Sequence, residues 1–401
     1  MHRVHKIKLD PTQEQAIYFA RACGVARFAY NWALAAWKEE YEAGGKPNEA
    51  ALRKRLNSIK ATEFPWMLEV TKVAPQNAIK NVGVAFQNFF RRVKQGGKPG
   101  YPRFKKKGLH DSFRADNGPA NADSNAVECT GKTIKLPKCG VVKMRETLRF
   151  SGRTLAATVR KHADGWYVAI LVDTSDCLSG RLDGGIVGVD LGVKELATLS
   201  TGEVIPSLKP HRAAQARLVR LSRSLTRKQK GSSNRAKAKI KLAKLHQRIS
   251  NIRVDALHKL TTKLATEFDT IAIEDLNVAG MLRNRCLARS IADVGFAEFR
   301  RQLTYKAEMT GAQVVVVDRF FPSSKTCHSC GTIHMMKLSN RVMVCACGNT
   351  MDRDLNAAIN LKNYAVSSTV SACGEESSGH SRTVAKLASV KQEIVGLCSN
   401  V

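Results

Sequence analysis

Four cysteines near the C-terminal end constrain this chain more than any other feature. Cys327-x-x-Cys330 is followed after fourteen residues by Cys345-x-Cys347. Gly331 and Gly348 stand directly after the two pairs. A glycine there allows the tight knuckle that turns two sulfurs toward one ion. Four thiolates in tetrahedral array describe a structural zinc ribbon with no open coordination position, hence a folding role and no catalysis. The second pair is one residue shorter than the usual spacing. His328 and His334 are spare nitrogen donors that a complete four-sulfur shell does not need.

The remaining seven cysteines are scattered, and an odd total of 11 with one tight cluster fits a reducing compartment better than a disulfide framework. The N-terminal MHRVHKIKLDP lacks the apolar stretch of a signal peptide. No apolar run approaches the roughly 18 residues of a membrane span. The expectation is a soluble, cytoplasmic protein.

Charge points to the partner. The 401 residues carry 65 Lys+Arg against 34 Asp+Glu, a formal net of +31. A polyanion, most simply nucleic acid, is the expected partner. The excess is concentrated in two places. Residues 96–107, GGKPGYPRFKKK, join Gly and Pro to an all-positive run with aromatics between. Lys98, Tyr101, Arg103, Lys105, Lys106 and Lys107 are therefore candidate contacts to phosphates and bases. Residues 209–253 hold fifteen Lys/Arg and no acid. Leucines at spacings of three and four predict a helical hairpin there with a narrow apolar seam. Arg227, Lys228, Lys237 and Lys241 are its candidate nucleic-acid contacts.

The order of elements predicts an α+β multidomain chain. Residues 12–43, about 48–60 and about 75–95 read as helices. Short β-rich segments from Val127 to Val172 read as a small antiparallel barrel or sandwich. A strand at 1–10 would complete it, making the helices an insertion. The apolar runs IVGVD, TIAIE and AQVVVVD read as buried strands of an α/β sheet, with a helix across 293–309. The expected domains are a β-barrel of 1–10 plus 110–180, helical residues 11–109, an α/β domain of 184–325 plus 349–364, the zinc ribbon at 326–348, and a flexible tail, 365–401.

Three carboxylates stand at element ends: Asp190 closes IVGVD, Glu274 closes TIAIE, and Asp354 opens the helix of DRDLNAAINL. Converging at one sheet edge, they would hold two divalent ions about 4 Å apart, the arrangement that hydrolyses phosphodiesters. Mg²⁺ suits such oxygen ligands. Asp275, Asp318 and Asp352 are rival positions, and an Asp at a helix start often only caps it.

The stretches VGVDLGVKELATLS, IAIEDLNVAGM, SSKTCHSCG and CGNTMDRDLNAAINL, in this order, resemble the TnpB (OrfB) family of insertion-sequence proteins. The GGKPGYPRFKKK loop and RFAYNWAL are also similar to that family, and the resemblance runs to about residue 364. It implies an RNA-guided DNA endonuclease related to the type V CRISPR effectors, with a RuvC-like, RNase H-type nuclease domain. Such chains are historically called transposases. The family's acids fall on Asp190, Glu274 and Asp354, the last being the Asp directly before x-Asn-Ala. Its zinc ligands fall on Cys327, Cys330, Cys345 and Cys347. The implied cofactors are structural Zn²⁺ and catalytic Mg²⁺. The implied partners are a guide RNA encoded by the element and double-stranded target DNA, with the protein a monomer on its RNA and no membrane involved. A non-cleaving RNA-guided repressor and a strand-transferring DDE-type transposase are the alternatives.

Overall fold

A computed structural model describes residues 2–109, 111–118, 126–174, 184–337 and 340–374. The chain divides into two compact units, residues 1–177 and 178–401. Among the described residues, no helix is long and apolar enough to cross a membrane.

The first unit begins with strand β1 (His2–Asp10). Helices α1 (Gln13–Glu42), α2 (Glu49–Ile59) and α3 (Val73–Lys94) follow, with a 3-10 turn at Pro65–Glu69. Thr12 starts α1 with a capping box: its hydroxyl accepts from Gln15 N, and the Gln15 amide returns to Thr12 N. Strands β2 (Ser112–Asp116), β3 (Glu128–Thr130), β4 (Thr133–Leu136), β5 (Gly140–Met144), β6 (Arg153–His162) and β7 (Gly165–Asp173) complete the unit. Their sheet runs β2-β6-β7-β1-β5-β4-β3, so the N-terminal strand lies in its middle, as expected. Phe19 of α1 meets Phe113 of β2 at 5.9 Å and Trp166 of β7 at 5.2 Å, which ties helices and sheet into one core.

The sheet is not the closed barrel the sequence suggested. Among the described residues β2 and β3 are edges with no ladder between them. Asn117, just past β2, bridges the gap by side chain: its amide donates to the carbonyls of Val127 and Thr154 (both 2.7 Å), and its oxygen accepts from Val127 N at 2.6 Å. A single side chain satisfies these backbone groups where a ladder would have closed the barrel.

The second unit is built on a five-stranded sheet, order β10-β9-β8-β11-β12. Its strands are β8 (Ile186–Asp190), β9 (Glu195–Leu199), β10 (Val204–Pro206), β11 (Thr270–Glu274) and β12 (Gln313–Val317). β8, β11 and β12 are parallel, and β9 and β10 antiparallel. Between β10 and β11 stands the basic hairpin, α4 (Pro210–Thr226) and α5 (Ser233–Glu267), its seam closed by Leu218, Leu245 and Ile249. Helices α6 (Val278–Met281), α7 (Ala288–Val294) and α8 (Phe296–Thr310) lead to β12. The helix expected at 293–309 is α8, which begins three residues later, after Gly295, whose φ of +83° is left-handed; α7 before it was not expected. The hairpin β13 (Val342–Val344) and β14 (Thr350–Asp352) precedes the last helix, α9 (Arg353–Gly374).

The sheet's two faces have different covers. Val187, Val189, Ile271 and Ile273 pack with Leu257 and Leu264 of α5 and Phe299 and Leu303 of α8. On the opposite face Ala272 packs with Leu361 and Ala365 of α9. Helix α9 thus extends through residues 365–374, which the sequence reading assigned to a tail. The rest of that tail, 375–401, lies outside the described residues.

Candidate active site and cysteine cluster

Alternation along the strands decides where the acids go. Asp190 is two residues beyond Gly188, and Glu274 two beyond Ala272, so both lie on the face that α9 covers. In the parallel pairing Ile273 is opposite Val189. The next step sets Glu274 beside Asp190 at the C-terminal edge, on strands roughly 4.8 Å apart.

Gly188 brings the third acid in. A Cβ there would overlap Ala358 O and stand 2.6 Å from Lys362 N, both on α9. Only a bare Cα lets the helix lie this close. Asp354 is one turn before Ala358 on the same stripe, so the approach that fixes Ala358 over Gly188 carries Asp354 over Asp190. Burial first, then the carboxylates of Glu274 and Asp354, push the Asp190 carboxyl up to about 8, opposed by the Arg353 guanidinium. Glu274 and Asp354 therefore each act electrostatically on Asp190. A divalent cation would relieve their mutual repulsion, so the donor set fits hard metal ions.

The rival acids are otherwise engaged. Asp352 caps α9, its carboxylate accepting from Asp354 N at 2.8 Å and Leu355 N at 3.2 Å. Asp318 accepts from Phe320 N at 2.8 Å, a local turn. Asp275 is held by Arg300 and Arg319, each at 2.6 Å.

Several groups around the site carry no signal in a single sequence. The Ser323 hydroxyl hydrogen-bonds the Glu274 carboxylate. Arg353, largely buried, donates to Ser324 Oγ at 3.0 Å and to the Lys337 carbonyl at 3.3 Å. Buried Asn356 and Asn360 donate to backbone carbonyls of the loop before the cysteine cluster. Their type and spacing would have been read as an ordinary polar face.

The cysteines converge as their spacing predicts. The sulfurs of Cys327, Cys330, Cys345 and Cys347 all lie within 4.8 Å of one another. Cys327 and Cys347 are 3.6 Å apart, Cys330 and Cys345 3.5 Å. Four sulfurs each 2.3 Å from one zinc ion would be about 3.8 Å apart, so the cluster fits that ion. Gly331 (φ +76°) and Gly348 (φ +91°) form the knuckles, returning N–H bonds to Cys327 and Cys345 carbonyls. His328 is engaged elsewhere, by Asn349 at 3.1 Å and Asn356 at 3.3 Å.

The basic candidates separate into two kinds. Lys98, Arg103, Lys106, Lys107, Arg227, Lys237 and Lys241 are exposed, and Lys228 is partly buried. Arg227 and Lys228 line a groove of about 420 Å³ on α4 with Arg220 and Arg223. Two further loop residues, Tyr101 and Lys105, are exposed as well but touch the helices. Tyr101 packs edge-on against Phe86 and Phe89. The Lys105 ammonium sits 4.1 Å from the Tyr30 ring centre, and burial holds its pKa below the usual lysine value. Asn31 clamps both backbone groups of Lys105, at 2.8 and 3.0 Å. This segment is anchored to α1, unlike a free linker.

The mixed α/β chain, with acids at a parallel sheet edge and a four-cysteine cluster before its last helix, resembles a Cas12f effector in fold. The chain aligns with the solved Cas12f1–sgRNA–target DNA complex at a TM-score of 0.57 and 16% identity, over 88% of this chain and 83% of that one. The OrfB family of IS605-type elements, described as "Probable transposase", matches residues 171–285. The Cas12f1-like TNB domain matches 296–361, and a helix-turn-helix domain of the same OrfB proteins matches 1–46. Those last residues form here one strand and one thirty-residue helix. A Streptomyces pristinaespiralis protein whose name carries the words RNA-guided DNA endonuclease is 36% identical over 98% of this chain and 96% of its own length. InsQ of Escherichia coli K12, similarly named, is 35% identical over 92% and 93%. The chain belongs to the TnpB (OrfB) family.

Proposed function

We propose that this protein is the RNA-guided DNA endonuclease of a transposable element, and that Asp190, Glu274 and Asp354 form its cleavage site. The observation that carries the reading is the meeting of these three acids on the α9 face of the sheet edge, in a chain of net charge +31. The names of the relatives and the likeness to a Cas12f1 fold support it. In this reading residues 184–325 and 349–364 are a RuvC-like, RNase H-type nuclease. Residues 326–348 are a ribbon folded on structural Zn²⁺ held by the four cysteines. Residues 1–10 with 110–180 and the helices of 11–109 grip the guide RNA and its heteroduplex with target DNA. Base pairing supplies sequence specificity.

Bound between the acids, two Mg²⁺ ions would activate water and stabilise the leaving oxygen. The chain's own contribution is placement. β8 and β11 fix two carboxylates side by side, α9 fixes the third above them, and the Ser323 hydroxyl holds one oxygen of Glu274. Burial keeps the Asp190 carboxyl from being fully hydrated, which strengthens its attraction for a cation.

The test is Mg²⁺-dependent cleavage of a plasmid by the protein purified with RNA from its own element, with that RNA sequenced. A discrete element-derived RNA and guided cleavage are expected. Asp190→Ala should abolish cleavage while RNA and target binding persist, and Glu274→Ala and Asp354→Ala should match it, combinations adding little because the three act as one unit. Full cleavage by Asp190→Ala would sink the site assignment. Specific binding to the element's ends without a co-purified RNA would favour a strand-transferring transposase.

A further inference from the structure

Helix α9 does two things at once. The stripe of Asp354, Ala358 and Lys362 lies against β8. A second stripe, Arg353, Asn356 and Asn360, grips the loop that joins the sheet to the cysteine cluster. Asn360 Nδ2 donates to the carbonyls of Ser323 (2.7 Å) and Thr326 (2.6 Å). Asn356 Nδ2 donates to the same Thr326 carbonyl at 2.7 Å, and its oxygen accepts from His328 N at 3.1 Å. Within the loop, Lys325 N and Thr326 N both reach Pro322 O at 3.0 Å, and Cys327 follows at once. The product of this bracing is one buried hydroxyl: Ser323, 3% exposed, is bonded to the Glu274 carboxylate.

A Glu at a strand end has three side-chain torsions, and an exposed one samples many rotamers. Holding one carboxylate oxygen removes most of that freedom before any cation arrives. We infer that Ser323 is a positioning residue for Glu274, presenting its free oxygen to the divalent cation, and that Asn360 sets Ser323 from α9. The helix that supplies Asp354 would then also aim Glu274, so the two acids are placed by one element.

This rests on the reading of Glu274 as a metal ligand, and the test separates the two. Mn²⁺ binding to the full-length chain without nucleic acid is followed by the electron paramagnetic resonance of the free ion. The binding lost in Asp190→Ala and Glu274→Ala defines the site. Ser323→Ala should weaken that binding about tenfold, the usual cost of removing a group that orients a metal ligand. Its melting temperature should stay near that of the wild type. Ser323→Thr keeps the hydroxyl and should restore affinity, an outcome that a merely space-filling serine does not predict. Ser323→Cys, similar in size but a weak donor, should behave like the alanine variant, and carries the test if alanine does not fold. Wild-type affinity in both Ser323→Ala and Ser323→Cys overturns the inference and leaves the acids' role standing. Failure of the wild-type chain to bind Mn²⁺ at the acids overturns the reading beneath it, and the inference with it.

Discussion

Asp352 and Asp354 are two residues apart, and sequence alone offers both. The backbone separates them. Asp352 precedes the first turn of α9 and spends its carboxylate on Asp354 N and Leu355 N, two donors that a helix start leaves unpaired. Asp354 lies inside that turn, its carboxylate electrostatically coupled to Asp190. Asp352→Ala should therefore cost about 1 kcal/mol of stability through the lost cap and leave cleavage measurable. Asp354→Ala should keep the cap and lose cleavage. Denaturant unfolding beside a plasmid assay checks the pair. Cleavage lost in Asp352→Ala and kept in Asp354→Ala would mean the wrong carboxylate carries the role. At this scale strand ends and cysteine spacing were legible, since each follows from a local pattern. Ser323, Asn356 and Asn360 were not. Their importance depends on which backbone carbonyl folds back to meet them 30 or more residues away, and no local pattern encodes that.

At the scale of elements, the most consequential residue is one with no side chain. Gly188 is the second residue before Asp190, in the middle of a buried strand where a glycine would otherwise only weaken pairing. Its value is the space it leaves for the α9 backbone. Gly188→Ala should push the helix off the sheet at a cost of about 1–3 kcal/mol, as overpacking of a tight interior does. It should also lift Asp354 from Asp190, so cleavage should fall by more than the stability loss accounts for. A melting curve and a cleavage rate, taken below the melting range, test this. Normal rate and stability would show that α9 is not held by this contact. Most strands were readable from alternation and from β-branched runs, though not β2, β13 and β14, and α1 to α3 from helical spacing and their Gly and Pro breaks. Two larger features were not. One is α7, a helix of seven residues that Gly295 separates from the apolar period of α8. The other is the open edge of the first sheet, where the Asn117 side chain bonds to the backbone of Val127 just before β3.

At the scale of the whole molecule the excess of 31 positive charges must be met by an anion, because like charges on one chain repel and oppose compaction. The same excess fixes how binding should respond to salt. Each phosphate neutralised by a lysine or arginine releases counterion, and the slope of log affinity against log salt steepens by about 0.9 per contact on duplex DNA and about 0.7 on single strands. The loop at 96–107 does not supply equal contacts. All three lysines are exposed, but the Lys105 ammonium rests over the Tyr30 ring and its backbone is clamped by Asn31. Lys106→Ala with Lys107→Ala should therefore flatten the slope by about 1.4 to 1.8, the loss of two contacts. Lys105→Ala should change the slope by far less, and lower affinity at every salt concentration by loosening the loop instead. Lys237→Ala with Lys241→Ala on α5 gives an independent pair of exposed lysines and should flatten the slope as the loop pair does. Binding of the guide RNA and of a matched DNA duplex, measured over a series of KCl concentrations, separates these outcomes. A slope unchanged by the Lys106 and Lys107 pair would return the loop to a structural connector. A full step in slope from Lys105→Ala would mean that its ammonium leaves Tyr30 to meet a phosphate.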